Sequence, residues 1–233
     1  MKKLSVPSLI LFLAIGLSAC GGEAPSNSMN LSASEPTEPE TLPPECYEPY
    51  ARELLSFNAG ENAGYGQVDL PEVVLGPTTT GSVITGSINV LSLGAGGEII
   101  LGFGDRKIVN GPGNDFVVWE NPFYVNGDPL VSYAEFGEIS VSLDGEEWHI
   151  FPCNPENMDG ASSGCAGWFP RKEFDPCDVL PLDPQLVGGD QFDLEEIGLS
   201  EIRYVKIRDV SDSGESPTAG FDLDAVGAFN LSE

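Results

Sequence analysis

The sequence predicts an all-β protein built as an antiparallel sandwich, and three observations carry that expectation. Short apolar or alternating runs of strand length recur from about residue 87 to residue 231, with Gly, Pro, Asn and Asp between them. Gly (28) and Pro (19) are abundant, which suits many tight turns. No stretch keeps a helical period, so about seven short strands are left to bury their apolar faces against one another.

The chain opens on Lys2 and Lys3, then an apolar run over residues 9–17, then Leu17-Ser-Ala-Cys20. A basic start, a short apolar stretch and small residues before a cut describe a secretory signal, and the run is too short for a mature spanning helix. Cys20 straight after Leu-Ser-Ala resembles the bacterial lipobox. That resemblance implies loss of residues 1–19, lipidation of Cys20 and a lipid-anchored protein of the bacterial envelope, at the outer membrane or cell surface. Residues 20–45 follow, rich in Ser, Pro, Glu, Thr and Asn and nearly free of apolar side chains. Such a segment buries too little surface to offset its ordering entropy, so it reads as a disordered tether. About 24 flexible residues reach roughly 27 Å, enough to hold a domain clear of headgroups.

The domain itself is expected over 46–233. Its strands are predicted at 87–93, 98–103, 116–120, 137–143, 148–152, 202–209 and 225–231. In the fourth, Ile139, Val141 and Leu143 alternate with Glu138, Ser140 and Ser142, the pattern of a half-buried antiparallel strand. Asp144-Gly145 then offers a hairpin turn into Trp148. Phe116-Val-Val-Trp119 is apolar on both faces and reads as a central strand. Asp193-Leu-Glu-Glu196 before Gly198 reads as one capped helical turn. Residues 154–189 have little periodicity and read as one long loop carrying Cys165 and Cys177, of a length that is usually functional or stapled.

The formal charge of −27 becomes −29 once residues 1–19, with their two lysines and no acids, are removed. That surface repels nucleic acid and anionic headgroups, and it favours cations. With Cys20 committed to lipid, Cys46, Cys153, Cys165 and Cys177 remain, an even number in an oxidising compartment. Zinc would want C-x-x-C spacing or several histidines; neither occurs, and His149 is the only histidine. Disulfides are therefore expected, with three pairings open.

Acids cluster beside Gly-rich turns in two places. One is Gly111-Pro-Gly-Asn-Asp115 running through Trp119-Glu120; the other is Arg208-Asp209 with Gly220-Phe-Asp222-Leu-Asp224. Asp222 and Asp224 share one face of an extended segment while Phe221, Leu223 and Ala225 take the other. Ca²⁺ needs several oxygens in a flexible cage, so Asp115, Glu120, Asp209, Asp222 and Asp224 are the candidate ligands of a structural Ca²⁺. Gly160-Ala-Ser-Ser-Gly164 matches G-x-S-x-G but lacks the strand-to-helix setting of a nucleophile elbow, and a lone strand His149 is structural or solvated. Trp119 and Trp148, on predicted strands, read as core, whereas Trp168 and Phe169, in the long loop, are the candidate sugar-stacking pair.

Several stretches resemble a family of bacterial cell-surface lipoprotein domains with galactose-binding-like β-sandwiches. They are Leu70-Pro-Glu-Val-Val-Leu-Gly76, the Leu-Ser-Leu-Gly run from Leu91, the Gly111 cluster, Phe151-Pro-Cys153, Gly164-Cys-Ala-Gly167, Val187-Gly-Gly-Asp190, residues 202–209 and residues 220–230. Ser142-Leu-Asp-Gly-Glu-Glu-Trp148 is similar to a hairpin of discoidin-like domains. The resemblance implies a jelly-roll sandwich, often holding structural Ca²⁺ and used for attachment to sugars or surfaces. It also places Cys153 and Cys165 in matching motifs; with their short spacing, that pairs them and leaves Cys46 for Cys177. The expected function is a non-enzymatic, envelope-anchored module for carbohydrate or another surface component. A polysaccharide hydrolase with paired carboxylates, or a purely structural accessory lipoprotein, is the alternative.

Overall fold

The computed structural model describes residues 42–78, 86–128, 131–157, 164–211 and 214–232, which lie in one compact unit, Thr41–Glu233. The signal, Cys20, the tether to residue 41 and Ser162 of the G-x-S-x-G match lie outside the described residues.

In chain order the strands are β1 (Glu53–Asn58), β2 (Leu91–Ser92), β3 (Glu98–Gly102), β4 (Ile108–Val109), β5 (Phe116–Trp119), β6 (Phe123–Tyr124) and β7 (Ser132–Tyr133). They continue as β8 (Gly137–Ser142), β9 (His149–Ile150), β10 (Asp190–Phe192), β11 (Glu201–Ile202), β12 (Tyr204–Asp209), β13 (Asp222–Leu223) and β14 (Ala225–Ala228). One sheet has the order β1-β3-β12-β8-β9 and the other β10-β5-β14, with three two-stranded pairs (β11-β4, β13-β2 and β6-β7) beside them. Every pairing is antiparallel. The chain passes repeatedly from one sheet to the other, from β3 to β5 to β8 and from β10 to β12 to β14, as in a jelly roll. The protein is thus an antiparallel β-sandwich.

The main core lies between the sheets. Ile99, Leu101, Ile139, Val141, Val205 and Ile207 of the five-stranded sheet meet Phe116, Val118, Phe192 and Val226 of the other. Strand β5 is central, as its two apolar faces predict. Its alternate residues Val117 and Trp119 point away from the main core into a second cluster with Tyr50, Leu182, Val187 and Ala225. The long loop supplies that cover, with Phe174 and Val179 packed alongside. Among the described residues, helix is confined to short turns, including α1 (Pro184–Val187) and a 3-10 turn over Leu194–Ile197. Asp193 caps the latter by accepting from the Glu195 N–H, and Gly198 closes it in the left-handed conformation at φ 71°.

Two disulfides pin the loop: Cys153 is bonded to Cys165 and Cys46 to Cys177. Two expectations change. Trp148 is not core: it lies half-buried on the outer face of the five-stranded sheet, where the Lys206 ammonium sits 4.1 Å from its ring centroid. Leu143 lies beyond the end of β8 and is 42% exposed, because the strand stops at Ser142.

Candidate metal centre and binding groove

Of the five acids singled out by the sequence, the structure brings two together. Glu120 directly follows β5; Asp222 opens β13, opposite Ser92 of β2. They are joined by Glu135, between β7 and β8, so that one carboxylate oxygen of each lies within 4.8 Å of the others. Glu120 is 5% and Glu135 4% exposed. The Asp222 N–H donates to Glu120 Oε1 at 3.4 Å, and the Ser92 hydroxyl donates to Asp222 Oδ1. Glu120 Oε2 is buried with no hydrogen-bond partner.

Burial, then repulsion from Asp222 and Glu135, pushes the Glu120 carboxyl well above the usual carboxylate range; two backbone N–H groups, of Asn121 and Asp222, oppose the shift. Burial likewise raises Asp222 to about 6 against its Ser92 bond. The same field reaches Tyr133, whose phenol is raised first by the Glu135 charge.

The other three acids have different work. Asp115 is fully buried and accepts from the N–H groups of Gly111 and Leu194 and from Asn230 Nδ2, at 2.7–2.9 Å, stitching the start of β5 to two loops. Asp209, at the inward end of β12, accepts from the Phe221 N–H at 2.8 Å, the Gly96 N–H at 3.0 Å and the Ser211 hydroxyl. Asp224 accepts from Thr78 Oγ1 at 2.8 Å, and its charge favours the ionised Arg171 against burial. Glu135 escaped the sequence reading because neither an alternating run nor a Gly-rich turn surrounds it.

A groove of about 570 Å³ opens nearby, walled by Tyr124, Phe169 and Pro170 and lined also by Asn114, Lys172 and Gln191; Asn114 Nδ2 donates to Gln191 Oε1, Gln191 Nε2 to the Pro184 carbonyl and Lys172 Nζ to the Gln185 carbonyl, each at 2.7 Å. Phe169 is 44% exposed there. Trp168, its predicted companion, is half-buried and stacks on Phe136 at 6.4 Å, outside the groove lining. Asp190 sets this local geometry: one carboxylate oxygen accepts from the consecutive N–H groups of Gly167, Trp168 and Phe169 at 2.8, 3.1 and 3.3 Å. Burial pushes Asp190 up to about 7 against those three donors. His149 lies on the edge strand β9 of the five-stranded sheet, 3.8 Å from Glu147, and belongs neither to the groove lining nor to the three-acid centre. Among the described residues, no helix is long and apolar enough to cross a membrane.

No protein-family model matches the chain, and a search of curated proteins finds no relative. Among solved structures it is similar to a truncated AlyQ with CBM32 and alginate lyase domains, at 16% identity and a TM-score of 0.37. That alignment covers 79% of this chain and 34% of the other, so this chain spans about a third of that protein's length. The sandwich described above is defined by its own strand pairing and core.

Proposed function

We propose that this protein is a non-catalytic surface-binding module that takes carbohydrate in the groove beside Phe169, held to the bacterial envelope by a lipid on Cys20. The observation that carries the reading is the groove wall. An exposed Phe169 ring and Tyr124 face a space large enough for a small oligosaccharide, and Asn114, Gln191 and Lys172 line it, held in place by bonds to one another and to backbone carbonyls. Aromatic faces pack against the apolar C–H faces of sugar rings, while amide and ammonium groups bond the hydroxyls. Rigidity favours binding as well: the Asp190 bonds fix the backbone of Phe169 before any ligand arrives.

A non-catalytic role is favoured by where the titratable groups lie. Glu120 and Glu135 are buried, whereas a glycosidase needs two carboxyl groups flanking a bound sugar. A glycan array with the mature chain, carrying Cys20→Ser to keep it in solution, tests the reading. Binding of one sugar class without product release, lost in Phe169→Ala at unchanged melting temperature, is the expected result. Product release would replace it with a hydrolase; silence across the array would leave a structural lipoprotein.

A further inference from the structure

We propose that Glu120, Glu135 and Asp222 hold a Ca²⁺ ion that fastens the base of the β6–β7 hairpin to strand β13. The site differs from the five-acid set expected from sequence: it keeps two of those residues, adds Glu135 and drops three that protein donors already occupy.

Three observations carry it. The first is composition and spacing. The centre offers only carboxylate oxygens, the choice of a hard cation rather than zinc or copper. Oxygens on opposite sides of a Ca²⁺ ion are about 4.6–5.2 Å apart, given bonds of about 2.3–2.6 Å. Three oxygens within 4.8 Å of one another fit one such sphere.

The second is an orphaned atom. Glu120 is 95% buried by its 5% exposure, and its Oε2 has no hydrogen-bond partner. A buried carboxylate oxygen without a donor loses its hydration and regains nothing, while two further carboxylates beside it add repulsion. A divalent ion removes both costs at once.

The third is connectivity. Glu120 lies three residues before β6 and Glu135 two residues after β7, so the two acids bracket the hairpin in sequence. Asp222 belongs to a different part of the chain, paired to β2. An ion shared among the three ties both legs of the hairpin to the sandwich. The described contacts within the hairpin are a two-residue ladder, the bond from the Val125 N–H to the Val131 carbonyl at 2.8 Å beyond it, and the stacked rings of Phe123 and Tyr133, at 5.3 Å. Tyr124 of β6 is also a wall of the groove. Ion occupancy therefore fixes the position of that wall, whatever the groove binds.

The test uses Ca²⁺ alone on the mature chain with Cys20→Ser, first stripped with EDTA. Calorimetric titration should find one ion per chain, Ca²⁺ should raise the melting temperature, and amide exchange should slow at Phe123, Tyr124, Ser132 and Tyr133. Glu135→Gln should abolish the Ca²⁺ response while raising the melting temperature of the metal-free protein, since it relieves repulsion; a carboxylate with only a structural role would lower it. Asp224→Asn should leave Ca²⁺ binding intact. No heat at millimolar Ca²⁺, an unchanged response in Glu135→Gln, or binding without slowed exchange in the hairpin would each overturn the proposal. Because no sugar is involved, these outcomes are independent of the glycan array.

Discussion

Replacing Cys46 and Cys177 together by alanine opens a cross-link that spans 131 residues, whereas replacing Cys153 and Cys165 opens one of 12. In the chain-entropy model a closed loop stabilises by an amount that grows with the logarithm of its length, giving about 5 kcal/mol for the first bond and about 3 kcal/mol for the second. The structure adds a reason for the same ordering. Cys177 belongs to the loop whose Val179, Leu182 and Val187 cover Trp119 and Val117, and Cys46 sits in the 3-10 turn Pro44–Tyr47, just before Tyr50 of the same cluster. Freeing that bond loosens the cover of the second core, while freeing Cys153–Cys165 affects one segment beside β9. For a domain of this size 1 kcal/mol moves the melting temperature by about 2–4 °C, so the long-loop variant should melt about 10–20 °C lower and the short-loop variant about 6–12 °C lower. Urea unfolding followed by tryptophan fluorescence measures both, provided the transitions remain two-state. A short-loop variant that loses as much as the long-loop one would refute the reasoning.

Asp115→Ala leaves the Leu194 N–H without its acceptor in the interior and should cost about 3 kcal/mol in urea unfolding; a loss below about 1 kcal/mol would show that those three bonds are dispensable. Asp190 gives a pH signature. Its folded pKa of about 7 lies above the ordinary 3.8, so the folded chain keeps a proton that the unfolded chain has released, and stability falls as pH rises from about 4 to 7. Asp190→Asn cannot ionise and should flatten that fall, worth up to about 4 kcal/mol, in melts taken from pH 4 to pH 8. An equally steep fall in the variant would move the cause elsewhere.

Local sequence made much of the sandwich legible. Ile139 and Val141 alternate with polar residues and face the core as the pattern demands, and the apolar run of β5 lies at the centre of its sheet with both faces covered. Asp193 and Gly198 bound the turn that their chemistry specifies. Strand β1 was harder to read: Leu54 and Leu55 are adjacent, and a register irregularity between Leu54 and Ser56 breaks the two-residue period on which strand recognition depends. Trp148 shows the limit of alternation, which says that two faces differ without saying which one is inside; a tryptophan under Lys206 satisfies the pattern from the outer side.

The chain by itself determined what depends on neighbours in sequence: the strands, the turns, the capping residues and the excess of acid. Tertiary structure decided which acids meet. Glu120 and Asp222 are 102 residues apart along the chain, and only the packing of β13 beside the end of β5 places them in one buried centre with Glu135. Asp115 and Asp209 carry the same carboxylate, yet folding delivers backbone N–H groups to them and leaves one oxygen of Glu120 with none. A carboxylate's role follows from whether donors, other acids or water surround it, and those surroundings are created by contacts between residues far apart in the sequence.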